Sequence, residues 1–338
     1  MPDQEMVSSA LRKTRLEPIL AGVVVFNPNP VQLRTLVDEL RKQATGVVLF
    51  LNSALPEDLR HDFAFLPDVS MIEATSNLGI GVGLNILALA ACLRGAGGIV
   101  FFDQDSTPPS GLIGRLDAAW ADLVDAGVRP AVVSPVLVPE PGTISKAPTY
   151  QYLNRPALGS ARQVSFVPTS GSLVATDVLR RIGFFRADYF IDGIDLEWSF
   201  RAVRQGYSCW VQTSCAMPHA VGSGVIGSRR FGWRMPKQRP FRMYCVVRNT
   251  VYGLRLGHIP LSWKLKQVAY LPVQTGAFLL HHRLKWSVLK LLLLGVRDGL
   301  AARLGPPRGL EGGDDHSHGR RSGQLVPKRV CGSGAKEI

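Results

Sequence analysis

Apolar and polar positions alternate in blocks along the first hundred residues. After a polar leader, residues 1–17, Ile19 to Phe26 is a short apolar run stopped by Asn27-Pro28-Asn29-Pro30. That is the pattern of a buried strand closed by turn residues. Val31 to Gln43 then sets Leu33, Leu36, Val37 and Leu40 at helical spacing, and Gly46 to Leu51 is a second buried run ending at Asn52-Ser53. Val69 to Glu73 reads as a third strand, Ile80 to Leu93 as a helix and Gly98 to Phe102 as a fourth strand. Nearly all-apolar strands alternating with helices imply a mostly parallel central sheet flanked by helices on both faces. Ligands of such sheets gather beyond the carboxyl ends of the strands. Asn27, Asn52 and Asp103 all stand at such ends.

From Pro130 the pattern loosens. Ala131 to Val138 predicts another strand, Pro139 to Ala161 a Pro/Gly/Ser-rich loop, and Gln163 to Val167 and Ser172 to Ala175 short strands around Pro168-Thr-Ser-Gly171. Thr176 can cap a short helix ending at Gly183, Leu196 to Gln205 reads as a helix, and Ser208 to Gln212 as a strand. Lys285 to Leu304 gathers Trp286, Leu289, Leu293, Val296 and Leu300 on one helical face with Lys290, Arg297 and Arg303 elsewhere, the pattern of a helix lying in an interface. Val268 to Leu280 is apolar but holds Pro272, Gln274 and Gly276, and falls short of the roughly 20 residues a spanning helix needs. Gly305 to Ile338, rich in Gly, Pro and charge, reads as a disordered tail.

Composition sharpens this. At 338 residues and 46% hydrophobic, the chain can bury a full core and is not a wholly disordered one. Its five cysteines form no C-x-x-C pair, which argues against a zinc knuckle or a disulfide scaffold. The leader lacks the apolar stretch of a secretory signal, so a reducing, cytoplasmic chain is expected. The net charge of +13 is uneven. Arg229 to Arg308 carries sixteen Lys and Arg against the single acid Asp298, a net of +15, which leaves the remainder near −2. A near-neutral body with a basic, Leu- and Trp-rich end is drawn to a polyanionic surface, anionic lipid or nucleic acid.

Four constellations carry candidate chemistry. In Phe101-Phe-Asp-Gln-Asp105-Ser106, carboxylates at i and i+2 just past a strand offer hard ligands for Mg²⁺ or Mn²⁺ with positions left for diphosphate oxygens. The bland reading is that Asp105 or Ser106 caps the next helix. Asn77-Leu-Gly-Ile-Gly-Val-Gly83-Leu-Asn85 opens a helix as a phosphate-binding turn does, though its glycines are not spaced G-x-G-x-x-G. Those glycines equally suit a helix packed closely on the sheet. Phe190-Ile-Asp-Gly-Ile-Asp-Leu-Glu-Trp198 puts three acids at a helix start, either as caps led by Asp192 or as a source of a general base. His219, alone after a strand, is either structural or the imidazole of a metal site.

In order and spacing, these segments resemble the family 2 glycosyltransferases, and within them the rhamnosyltransferase-like branch. The markers are Val23-Val-Val-Phe-Asn-Pro28, Asn77 to Asn85, Asp103-Gln-Asp-Ser106, Thr169-Ser-Gly-Ser172, Phe190 to Trp198, His219, Arg248-Asn249 and Arg297-Asp-Gly-Leu300. The resemblance covers roughly Ala21 to Arg303. It implies a GT-A fold over 18–255, a basic amphipathic helical extension at the membrane surface over 256–304, and a tail from 305. It also implies an inverting, metal-dependent transfer, with L-rhamnose from dTDP-L-rhamnose the commonest donor of the branch. Carried over by residue, Asp195 is the catalytic base, and Asp103, Asp105 and His219 hold the metal. Asn27, Asn52, Asn77, Gly79, Asn85, Asp103, Gln104 and Asp105 border the donor, while Ser170, Gly171, Glu197 and Trp198 lie on the acceptor side. One departure stands out: where the family often has a base-reading Asp after the second strand, this chain has Asn52.

The expected partners are a nucleotide-sugar, a lipid-linked or polysaccharide acceptor and an anionic membrane, with the protein peripheral on its inner face. Two other classes share some of these features. One is a GT-A scaffold that binds nucleotide-sugars without turnover. The other is a nucleic-acid-binding protein whose Phe231, Trp233 and Phe241 lie among the bases of the C-terminal segment, although no nucleic-acid motif accompanies them.

Overall fold

β-branched and aromatic residues fill the first four strands, β1 (Ile19–Val25), β2 (Gly46–Leu51), β3 (Val69–Glu73) and β4 (Gly98–Asp103). They pair in parallel in the order β3-β2-β1-β4, joined by α1 (Pro30–Arg41), α2 (Glu57–Ala64) and α3 (Ile80–Leu93). The computed structural model describes residues 15–139, 148–219, 225–228 and 233–307. The leader through residue 14, the tail from 308 and Phe231 lie outside that set.

The Pro-rich stop after β1 doubles as a helix start: Asn29 accepts from the Val31 and Gln32 amides at 3.0 and 3.2 Å, with Pro30 in the first turn of α1. The chain runs outward from β1 through β2 to β3, then returns to lay β4 on the other side of β1. That reversal opens a crevice at the carboxyl ends of β1 and β4.

The second half departs from simple alternation. After α4 (Leu112–Asp125) come β5 (Pro130–Pro139), β6 (Ala161–Val164), β7 (Ser172–Ala175), α5 (Thr176–Ile182), α6 (Ile194–Arg204) and β8 (Ser208–His219). The eight-stranded sheet continues β4-β7-β5-β8-β6. β5 and β8 are parallel, whereas β7 is antiparallel to both β4 and β5, and β6 is antiparallel to β8. Strand β8 is longer than its apolar pattern predicted. The pattern breaks at the exposed Thr213 and Ser214, where a bulge shifts the β5 register, and then resumes at Cys215 to reach His219. Thr176 does not cap α5. Its hydroxyl donates to the Ala96 and Gly97 carbonyls, tying the helix to the strand beside it.

A two-stranded ribbon, β9 (Val225–Ser228) with β10 (Trp233–Pro236), precedes α7 (Pro240–Gly253), a helix not among those expected. Helix α8 (Leu261–His281) runs unbroken through Pro272, and α9 (Trp286–Leu300) is five residues shorter than expected. Met243, Val247, Val251, Phe278, Val288 and Leu292 form a second, smaller core among these three helices. Glycines set the α7–α9 distance: a Cβ on Gly299 would lie 2.6 Å from the Arg248 carbonyl. Consequently the face bearing Trp286, Leu293, Val296 and Leu300 is exposed rather than packed on α7. Among the described residues, no helix is long and apolar enough to cross a membrane.

Candidate functional site

Strand register alone gathers the ends of β1, β2 and β4. Val25 pairs with Leu51 and Val24 with Asp103, so the residues that follow each strand meet at one edge. Gln104 ties its side chain to Phe26, accepting from its N–H at 2.7 Å and donating to its carbonyl at 2.9 Å. The Asn27 amide donates to Ser53 Oγ at 2.7 Å, and Asn27 itself adopts a φ of 46°. Asn52 is buried. It donates to Asn77 Oδ1 at 2.8 Å and accepts from the Leu78 amide at 2.7 Å. Asn77 also accepts from the Gly79 amide. The side chains of Gln104, Asn52 and Asn77 thus hold the strand-end turns in shape.

The glycine-rich turn docks a second loop. Gly79 has φ 83°, and a Cβ there would meet Phe190 at 2.5 Å. A Cβ on Gly81 would meet the Arg186 carbonyl at 2.7 Å, and one on Gly83 the β1 and β2 side chains of Val24 and Phe50. Ile80 donates to the Phe190 carbonyl, and Asn85 exchanges two hydrogen bonds with the Phe185 backbone at 2.9 and 2.8 Å. Close approach to the 185–190 segment is what these glycines supply.

That segment leads into the acids. Phe190, Asp192 and Gly193 all have positive φ, at 65°, 66° and 78°. Conformations of this kind cost of order 1 kcal/mol or more at non-glycine residues and persist only when held. Asn249 of α7 holds this one, donating to the carbonyls of Tyr189, Ile191 and Asp192 at 3.0, 2.8 and 2.9 Å. Arg248 adds a bond to the Tyr189 carbonyl at 2.8 Å and another to Gly305. Asp192 is not the cap: α6 begins after Gly193, and Asp192 instead clasps Arg242 of α7 in a bidentate pair at about 3 Å. Nor do Asp105 and Ser106 cap α4, which follows Gly111.

A cavity of about 410 Å³ opens between these elements. Asp103, Ser170, Asp192, Asp195, His219 and Arg242 line it. Asp195 accepts from the Leu196 amide at 2.8 Å. Burial lifts its carboxyl to about 6, and the nearby charges of Asp192 and Asp103 push the same way. Asp103 is also raised, by burial first and Asp105 second, against the opposing influence of His219 and Arg242. Nε2 of His219 lies 3.8 Å from Asp103 Oδ2, beyond hydrogen-bond range, and its buried Nδ1 has no partner. Hard carboxylate oxygen facing an imidazole at that spacing suits a divalent cation. Among the described residues no group of three candidate ligands converges, however, and Asp105 lies exposed outside the cavity lining.

Ser170 anchors the cavity wall, bonded to Ser106 Oγ at 2.8 Å and accepting from the Asp103 amide. Gly171, at φ 75°, packs on Pro135 and Met217, where a Cβ would come within 2.9 Å. Glu197 and Trp198 point elsewhere. Glu197 is buried in an ion pair with Arg201, two contacts at 3.1 Å, with His258 Nε2 at 2.8 Å. Trp198 sits in the core and donates to the Gly183 carbonyl. Sequence reasoning missed Arg242 and the supporting role of Asn249. The second was within reach, because Arg248-Asn249 stood out as a marker before it had a purpose.

No family model matches the chain. It is 27% identical over 306 residues, 87% of this chain and 97% of the relative, to the dTDP-rhamnosyl transferase RfbF of Shigella flexneri. Among solved structures, S. aureus TarS 1-349 in complex with UDP-GlcNAc aligns at a TM-score of 0.55 and 14% identity, covering 84% of this chain and 81% of that one. GalNAc-T7 with UDP, GalNAc and Mn²⁺ aligns at 0.51 and 13% identity over 75% of this chain, which spans only about half, 54%, of GalNAc-T7. These findings define the class: the fold is GT-A, shared with solved glycosyltransferases, and the relative matched over nearly its whole length is a rhamnosyl transferase. Within that class the resemblance to the rhamnosyltransferase-like branch of family 2 holds, carried by the relative from Shigella flexneri.

Proposed function

We propose that the chain transfers L-rhamnose from dTDP-L-rhamnose to a glycan acceptor in cell-surface glycan synthesis, with inversion at the anomeric carbon. The observation that carries this reading is one cavity holding both Asp195, lifted to about 6, and the Asp103–His219 pair. The relative's name supplies the sugar and the nucleotide.

Asp195 accepts the proton of the attacking acceptor hydroxyl. A bond forms from that oxygen to the anomeric carbon while the bond from the same carbon to the diphosphate breaks, and its electron pair leaves on dTDP. Asp103 and His219, with Asp105 after a local shift, would hold Mg²⁺ or Mn²⁺. Such a cation stabilises negative charge on a departing diphosphate. Asn27, Asn52, Asn77, Gly79, Asn85 and Gln104 shape the donor side, and Ser170 and Gly171 the acceptor side. Residues 18–255 form the catalytic body. The extension over 256–304 rests on the inner face of an anionic membrane through the exposed α8 and α9 surface and the basic charge of the C-terminal segment.

The test is a panel of dTDP- and UDP-sugars offered to the purified protein with Mg²⁺ or Mn²⁺, with and without excess chelator. Binding and slow hydrolysis of dTDP-rhamnose, lost in chelator, are expected. Preference for a UDP-sugar would overturn the donor, and full turnover in chelator would overturn the metal.

A further inference from the structure

Charged and hydroxyl groups are only part of what faces the 410 Å³ cavity. Ile80, at the start of α3, and Ile191, in the acid loop, also line it, in company with Asp192 and Asp195. The two isoleucines arrive at one backbone junction from different elements. The Ile80 amide donates to the Phe190 carbonyl at 2.7 Å, and Ile191 is the next residue along the chain from that carbonyl. Leu84, one turn along α3 from Ile80, and Ile194, at the start of α6, line the same cavity and are each 4% exposed.

Unusual backbone holds both isoleucines in place. Ile80 stands between Gly79 and Gly81, where a Cβ would meet Phe190 at 2.5 Å and the Arg186 carbonyl at 2.7 Å. Ile80 is thus the one residue of that stretch with room for a side chain. Ile191 stands between Phe190 and Asp192, both at positive φ, and its carbonyl accepts from Asn249 at 2.8 Å. β-Branched side chains add little freedom of their own, being stiff at χ1. Neither isoleucine is used up in the interior. Both are half-buried, Ile80 resting on the edge of the main core and Ile191 belonging to neither core cluster. The outcome is a rigid aliphatic corner set among the acids of the cavity.

We propose that Ile80 and Ile191 seat the C6 methyl of the donor sugar, so that the site selects a 6-deoxyhexose over the same sugar hydroxylated at C6. This rests on the transferase reading and names the residues that enforce its sugar. The anomeric carbon has to stand within reach of both Asp195 and the diphosphate at the Asp103–His219 edge. The rest of the ring then lies between them, beside the loop that carries Ile191. A methyl group leaves water there at no loss, whereas a C6 hydroxyl would be buried against aliphatic carbon with its hydrogen bonds unmade. The ring hydroxyls, by contrast, have Ser170 and the Asp192–Arg242 pair in the same lining.

The test compares dTDP-L-rhamnose with dTDP-L-mannose, which differ only in the C6 hydroxyl, in slow hydrolysis by the full-length protein with Mg²⁺ or Mn²⁺. An apolar seat should favour the deoxy donor about a hundredfold in kcat/KM. Ile80→Thr with Ile191→Thr keeps the β-branched shape and supplies hydroxyl partners, so the preference should fall below about tenfold. Leu89→Thr, on the exposed face of α3, should leave it unchanged. Binding of dTDP, which lacks the sugar, should be equal in all variants and reports that each is folded. Wild-type hydrolysis of the two donors within about threefold of each other would overturn the proposal without any variant. So would a hundredfold preference that survives the paired Thr substitutions. If the wild-type chain hydrolyses neither donor, the transferase reading has failed and this inference with it. If it hydrolyses dTDP-L-rhamnose and the preference is absent or survives the substitutions, only the methyl seat falls.

Discussion

Helix α6 opens on acids turned toward the protein, whereas α8 turns aliphatic side chains out of it. Of the α6 acids, Glu197 is neutralised by Arg201, while Asp195 has only a backbone amide. In α8, a single residue of twenty-one, Phe278, is fully buried. Helix α3 gives the contrast: of fourteen residues, seven are buried, Leu84 and Leu87 among them. Each departure works against stability on its own. A carboxylate kept from water and an exposed aliphatic stripe are both tolerated where a ligand or an apolar medium is to supply what the protein withholds. The two differ in what relieves them, and that difference can be measured.

The largest effect is expected at the acid. Asp195→Asn keeps the side chain's shape and removes the proton acceptor, so transfer should fall about 10²- to 10⁴-fold while donor binding persists. Near wild-type transfer, together with loss in Asp192→Asn, would move the role to the other acid. Next comes the outer stripe. Leu261→Ser, Leu265→Ser and Val268→Ser, in the exposed aliphatic stripe of α8, together remove about 3 kcal/mol of apolar contact, roughly a hundredfold in partition to anionic vesicles. Donor hydrolysis in solution should be untouched, and unchanged sedimentation with vesicles would contradict the assignment of that face.

A smaller effect separates the regions by stability. Asp195 is raised from 3.8 to about 6, so above pH 6 it is ionised in both folded and unfolded chains, and the folded state carries the penalty. Asp195→Asn should therefore stabilise the protein by about 3 kcal/mol near pH 7.5, read from denaturant unfolding. The gain should fade as pH drops from 6 toward 4, where the native carboxyl takes up its proton. The smallest effect is a control in neither region: Asn29→Ala removes the α1 cap and should cost about 1 kcal/mol with transfer unchanged.

How much of this was legible in the sequence follows from how local each cause is. Strands β1, β2 and β4 and helix α1 announced themselves, because burial on both faces writes an unbroken apolar run and a helix face writes a 3.6 period. The coincidence of Asn27, Asn52 and Asp103 at strand ends was equally plain, and the registers bring them to one edge. Antiparallel β7 was not legible as such, since four buried residues carry no direction. The acid loop was visible as a motif, but Asp192 looked like a cap. Its true partner, Arg242, lies fifty residues away, and no local spacing marks it. For the same reason Gly183 and His258, partners of Trp198 and Glu197, could not be read from local spacing.

The central claim is that the Asp195 carboxylate, held up by burial and by its neighbours, takes the acceptor's proton. The pH dependence of kcat/KM for transfer from dTDP-rhamnose reports the free enzyme and tests this most directly. The account predicts an acid limb with a midpoint at about 6, below which the rate falls tenfold per pH unit, and no such limb in the residual activity of Asp195→Asn. A profile that stays flat from pH 7 down to pH 5, or an acid limb that survives in Asp195→Asn, would contradict it.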